Sequence, residues 1–366
     1  MKILFYFIHP AKYQAFRGII NKMLSEGIQV DLVIIKKSIM EELVASEGWQ
    51  YTNIFPEGRR FKGVPVYISA FINLFRTLFR LNRFIKGKKY DLCVTDDLFT
   101  VLGRLKGIPT IFFTDDDLSA VPESVLLIST AHYVLAPSIA YMGRYEKKKI
   151  GYYGYKSLMH LHPNCFAPQE TKLDVSIAAP FSYFLIRCVS VTSTHDVGNN
   201  GINDELLREL ILFLQEYGKV IISSERPIPA DLESYCININ KKDISHYIAF
   251  CRIFISDSTT MCAEAAVLGI PSIEIDDWFD DFRQYSELNE KYGLLKGINP
   301  ADRMKIFNEL RSILNDKDLD GRQKYKREKM LKNMVDVSAF VYWLLANYPS
   351  SVKEYFKNPG TQLRFK

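Results

Sequence analysis

Short apolar runs recur along the chain, separated by polar turns and by stretches whose apolar residues return every three or four positions. Ile3–Ile8 reads as a buried strand, Tyr13–Glu26 as a helix closed by Gly27, and Val30–Ile35 as a second strand. Further strands are expected at Leu92–Thr95, Thr110–Phe113 and Val134–Ala136. Strand, helix and strand in alternation imply a parallel sheet with crossover helices. In such sheets ligands gather at the carboxyl ends of the strands. His9, Asp96-Asp97 and Asp115-Asp116-Asp117 would therefore share one edge. The pattern turns irregular at 165–172, where Pro163, Asn164, Pro168 and Gln169 suggest a hinge, and then restarts. Cys188–Val191 is expected to begin a strand, Asn203–Tyr217 a helix, and Lys219–Ser223 another strand. These signals predict an α/β protein of two Rossmann-like, doubly wound lobes, 1–168 and 169–335, facing across a cleft. A last apolar helix, Val337–Asn347, lies in a segment, 336–366, expected to cross back to the first lobe.

The most informative stretch is Cys251–Asp276. Ile253-Phe254-Ile255 reads as a strand, Ser256–Thr259 as a capping turn, Met261–Leu268 as a helix stopped by Gly269, and Pro271–Ile275 as a second strand. Free backbone N–H groups and the macrodipole at the start of such a helix suit a phosphate. Glu264, six residues after Ser258, is placed to accept hydrogen bonds from ribose hydroxyls. The same pattern also fits an ordinary strand-to-helix connection with a capping serine.

Tyr67–Lys89 differs in character. Arg76, Arg80 and Arg83 recur at helical spacing, with Lys86, Lys88 and Lys89 beyond them, while Phe71, Phe75, Leu78, Phe79 and Ile85 fall largely elsewhere on the wheel. Two roles are open for this basic, aromatic-rich amphipathic helix. Its apolar face packs on the sheet, or part of it lies in the headgroup layer of an anionic membrane.

At 366 residues, two domains are the default expectation. With 48% hydrophobic and 24% charged residues the chain is of the globular class. We read no signal peptide and no membrane span, and six scattered cysteines without a CxxC pair suggest reduced thiols. This points to a cytoplasmic protein, with a peripheral position at the inner face of the membrane as an extension. The net charge of +5 is uneven: residues 1–168 hold 22 Lys and Arg against 14 Asp and Glu, leaving 25 against 28. An anionic partner is thus expected for the first half. Nucleic acid is disfavoured because no recognition motif accompanies the charge. Asp115–Asp117 does not have the spacing of a Mg²⁺ cage, so neither metal nor cofactor is expected.

Several motifs together resemble the GT-B superfamily of nucleotide-sugar enzymes. They are His9-Pro10-Ala11, Tyr152-Tyr153-Gly154-Tyr155-Lys156, Leu161-His162-Pro163-Asn164, His195-Asp196, and Asp257–Met261 with Glu264–Pro271. The likeness is nearest to a family of unknown function related to glycosyltransferases and, further off, to the non-hydrolysing UDP-N-acetylglucosamine 2-epimerases. By that resemblance Asp96, Asp115 or Asp116, Glu123 after Pro122, and His195 match acid, base and contact positions. Ser258 and Glu264 match the residues that hold diphosphate and ribose. The chain departs from the epimerase pattern in two places. Thr259-Thr260 replace two glycines, which hinders close backbone approach to phosphate, and Asp196 replaces an arginine that would stabilise a leaving diphosphate.

These readings converge on a nucleotide-sugar-dependent glycosyltransferase of surface polysaccharide or glycolipid biosynthesis. Its donor would be held by Ser258, Thr259, Thr260 and Glu264, with a cation from Arg187 or Lys156. The acceptor, a saccharide or lipid-linked saccharide, would be activated by Asp96, Asp115 or His9, with His195 a phosphate or sugar contact. A nucleotide-sugar epimerase or hydrolase using Asp96, Asp115, Glu123 and His195 is the enzyme alternative. A non-catalytic sugar-nucleotide or nucleic-acid binding protein is the third.

Overall fold

The computed structural model describes residues 1–36, 40–59, 66–177, 179–189, 201–277 and 282–366. Two compact units result: Met1–Cys165 with Met334–Lys366, and Phe166–Asn333. In the first unit the elements are β1 (Lys2–Phe7), α1 (Pro10–Ser25), β2 (Gln29–Ile34), α2 (Met40–Ala45), β3 (Tyr51–Asn53), α3 (Val66–Ile85), β4 (Leu92–Thr95), α4 (Phe99–Lys106), β5 (Thr110–Phe113), α5 (Val125–Thr130), β6 (Tyr133–Pro137), β7 (Lys149–Tyr152) and α6 (Leu158–Leu161). The seven strands form one parallel sheet in the order β3-β2-β1-β4-β5-β6-β7. β1 is buried from Ile3 to Phe7, as a strand covered on both faces must be. In register, Phe5 lies opposite Leu32 on β2 and Val94 on β4. The chain leaves β1 for β2 on one side and returns to β4 on the other. The β1/β4 boundary is therefore the switch point at which open α/β sheets bind ligands.

The second unit contains β8 (Tyr183–Cys188), α7 (Asp204–Leu214), β9 (Lys219–Ser224), α8 (Ile244–Phe250), β10 (Ile253–Ser256), α9 (Thr259–Leu268), β11 (Ser272–Ile275), α10 (Arg283–Ser286), β12 (Leu295–Ile298), α11 (Arg303–Leu314) and α12 (Leu319–Asn333). Its parallel sheet runs β12-β11-β10-β8-β9, placing a switch point between β8 and β10. Helices α7 and α11 share one face, where Phe213 and Phe307 meet edge to face with ring centres 5.3 Å apart. α9 is buried from Cys262 to Leu268 and apolar all round except for Glu264, the pattern of a helix covered on every side. Arg327 of α12 donates to the Val267 carbonyl at 3.0 Å. Gly269 ends α9 at φ 83°, a left-handed cap that glycine adopts without strain. The strand expected to begin at Cys188 ends there instead, because the apolar run that forms it is Tyr183–Ile186.

Residues 334–366 complete the first unit with α13 (Val337–Ala346) and α14 (Ser350–Lys357). α13 packs on α1 and α6. The Tyr355 hydroxyl donates to the Gly151 carbonyl at 2.9 Å and accepts from its N–H at 2.8 Å. Gln362, fully buried, donates to the same carbonyl at 3.0 Å and accepts from Tyr153 N–H at 2.7 Å. β7 is an edge strand, and these side chains saturate backbone groups that an open edge would leave unpaired.

Candidate functional site

In the first unit Asp96 follows β4 at the switch point, and its Oδ1 accepts from Ile8 N–H, just beyond β1, at 3.0 Å. Burial pushes its carboxyl up to about 7, with Asp97 adding to the rise and Lys12 opposing it. The neighbouring Asp97 is already satisfied. It accepts from the Tyr6 hydroxyl at 2.7 Å and from Arg59, and Thr95 Oγ1 accepts from its N–H at 3.1 Å. Burial and Asp97 together keep the Tyr6 phenol protonated.

Asp115, after β5, is only 2% exposed and forms ion pairs with both Lys12 and Lys156. Burial opposes its charge, but the two ammonium groups prevail and hold the carboxyl well below the usual range. Lys12 is raised in turn, because the attraction of Asp115 and Asp116 exceeds its desolvation. Asp117 is structural, its Oδ1 accepting from Tyr141 N–H at 2.7 Å. His9 caps α1, its Nδ1 accepting from Ala11 N–H at 3.2 Å. A neutral imidazole bonded in that way carries its proton on Nε2. His9, Asp96 and Asp115 thus gather on one edge, linked through Lys12. Glu123 lies on an exposed turn of 3₁₀ helix, Pro122–Ser124. Lys156, expected with the donor, belongs to the first unit and is committed to Asp115.

The second unit repeats the device. Asp257, after β10, accepts from Val189 N–H, just beyond β8, at 2.8 Å. It also accepts from Ile202 N–H at 3.3 Å, yet burial still pushes its carboxyl up to about 6. Ser258 is the N-cap residue of α9, but its side chain makes no capping bond, so the amides opening the helix are not taken up by it. Thr259 Oγ1 lies 3.5 Å from Asp276 Oδ2, and Thr260 follows in the first turn. Glu264 is 8% exposed, and Glu274 on β11 is fully buried. Burial and the charge of Asp276 push the Glu274 carboxyl well above the usual carboxylate range. Arg187 turns from α9 toward β9, donating to Ser223 Oγ at 2.7 Å and pairing with Glu225. A cavity of about 370 Å³ opens beside Asp257, toward the starts of α7 and α11 and not over Ser258–Thr260. Arg226 and Arg303 line it, Arg226 held by Asp204 at 2.6 Å. His195 lies outside the described residues.

Sequence reasoning missed Lys12, Arg59, Arg226 and Arg303. Lys12 and Arg303 carried a signal, since a cation in the first turn of a helix opposes the macrodipole and calls for a nearby carboxylate.

Solved structures match over nearly the whole chain. The spinosyn rhamnosyltransferase SpnG, solved with thymidine diphosphate, matches at 15% identity and TM-score 0.61, covering 94% of this chain and 100% of that one. MurG of Acinetobacter baumannii, at 13% identity and TM-score 0.58, covers 94% of this chain and 99% of its own. This is a GT-B fold. The UDP-GlcNAc 2-epimerase of Methanocaldococcus jannaschii has it as well, at 14% identity and TM-score 0.60, over 87% of this chain and 94% of that one. No protein-family model and no curated protein matches the chain. The GT-B fold is therefore shared with both transferases and an epimerase, and residue chemistry must choose between them.

Proposed function

We propose that the protein is a nucleotide-sugar-dependent glycosyltransferase that builds a surface polysaccharide or glycolipid. The second unit binds the nucleoside diphosphate sugar, its diphosphate at the amides opening α9 beside Ser258, Thr259 and Thr260, and its ribose at Glu264. In the first unit Asp96 is the general base. It takes the proton of the acceptor hydroxyl as that oxygen attacks the anomeric carbon, and the nucleoside diphosphate departs with the bonding electrons.

The observation that carries this reading is the Asp96 carboxyl, pushed up to about 7, beside an Asp115 that two lysines hold ionised. A base that titrates near neutrality is suited to accept a proton there. Inverting a sugar stereocentre requires one group to remove a proton and another to return it. Among the described carboxylates matched to the epimerase pattern in this unit, Asp96 has that character, whereas Asp115 is locked by two lysines and Glu123 is exposed. The epimerase reading is favoured by the similar fold of the epimerases alone.

The test is a panel of UDP-, GDP-, CDP- and dTDP-sugars incubated with and without saccharide acceptors. Transfer is expected with one donor class, and Asp96→Asn should lower it by roughly 10²–10⁴-fold without weakening donor binding. Acceptor-independent change of sugar configuration sinks the transferase in favour of the epimerase. Absence of any donor-induced thermal shift removes both enzymes and leaves the non-catalytic reading.

A further inference from the structure

Helix α3 carries two apolar faces. Leu81 and Ile85, with the partly buried Leu78 and Phe84, join the core of the first unit. On the other side Ile68, Phe71, Phe75 and Phe79 follow one another at spacings of three and four, with Ile72 beside Phe71, and the five stand 40–68% exposed. At about 1.5 Å per residue this stripe runs roughly 16 Å along the surface. Phe71 and Phe75 touch edge to face, 5.1 Å between ring centres, and so form a continuous aromatic ridge. Exposed aromatic side chains in a line are uncommon on a monomer surface and mark a binding face.

The charge around the ridge says what covers it. Residues 66–90 contain six cations and no acid. Arg76 and Arg80 are committed to Glu57, and Lys88 to Asp31. Arg83, Lys86 and Lys89 are exposed at the far end of the stripe, with no ion pair among the described residues. α4 packs beside α3 and exposes Leu105 at 74% between Arg104 and Lys106, both also exposed. We propose that this face docks on an anionic lipid bilayer, the phenyl rings entering the acyl boundary and the cations meeting the lipid phosphates. A second copy of the chain fits less well, because it would set the same cations against each other. Among the described residues no helix is long and apolar enough to cross a membrane, so α3 lies along the surface. The inference deepens the lipid-linked acceptor reading above and rests on it.

The experiment is flotation with vesicles of pure phosphatidylcholine and of equimolar phosphatidylcholine and phosphatidylglycerol, without donor or acceptor. Wild-type protein is expected to float with the anionic vesicles and not with the neutral ones. Phe75→Ser/Phe79→Ser and, separately, Arg83→Glu/Lys86→Glu/Lys89→Glu should each cut the partition about tenfold or more. These positions are exposed, so folding is checked by circular dichroism and by the thermal shift with nucleoside diphosphate. Equal partition of wild type and variants, or none by wild type, overturns the inference. So does a doubling of wild-type mass in sedimentation that the Phe75→Ser/Phe79→Ser variant reverses. A donor shift that persists while flotation fails removes the membrane face alone, whereas flotation without any donor shift removes the transferase reading and the lipid-linked acceptor with it.

Discussion

Replacing Asp96 by asparagine should make the protein more stable at alkaline pH while it loses activity. The folded-state carboxyl sits at about 7 against 3.8 for the unperturbed group, so the folded chain keeps a proton that the unfolded chain has released. Stability is therefore lost as pH rises from about 4 to about 7. Near pH 4 and below the penalty is absent. A difference of roughly three units at 1.36 kcal/mol each gives an upper bound of about 4 kcal/mol at pH 8, reduced by the solvent that reaches this half-buried group. Asparagine cannot ionise, and its oxygen can still accept from Ile8 N–H. Lys12 keeps its pair with Asp115. The variant and wild type should match near pH 4 and diverge up to pH 8. For a unit of this size each kcal/mol moves Tm by about 2–4 °C. Scanning calorimetry of both proteins at unit intervals from pH 4 to 8 reads the divergence directly. An offset that does not change with pH, or a variant less stable at pH 8, refutes the claim that burial holds this carboxyl up.

Asp115→Asn removes the ion-pair partner that Lys12 and Lys156 share, and we expect a loss of about 3–5 kcal/mol in urea unfolding at pH 7. Gly154→Ala would place a methyl 2.5 Å from Val337 Cγ2 and 3.4 Å from Leu158 Cδ1. Relief requires α13 to shift, so a loss of about 1–3 kcal/mol should appear in the same assay.

The parallel sheets were legible because strands such as β1, buried from Ile3 to Phe7, and β5, buried end to end, read as nearly unbroken apolar runs. β3 and β7 were not read as strands. β3 has only three residues, and the edge strand β7 depends on Tyr355 and Gln362, about two hundred positions away. The acidic turns could be found from spacing, but their partners could not. Lys12 meets Asp115 across 103 positions and Arg59 meets Asp97 across 38, distances at which no local pattern survives. On α3 the helical wheel merged two apolar faces into one, and only the packed structure separates the ridge at Phe71, Phe75 and Phe79 from the core side at Leu81 and Ile85.

The closing of β7 by residues 334–366 has a consequence for synthesis. A ribosome delivers the first sheet early and the second unit as one uninterrupted segment, 166–333, yet the clasp on Gly151 emerges after both. The first sheet must therefore wait with an unguarded margin, exposed to chaperones and to pairing with other nascent chains, until α13 and α14 arrive.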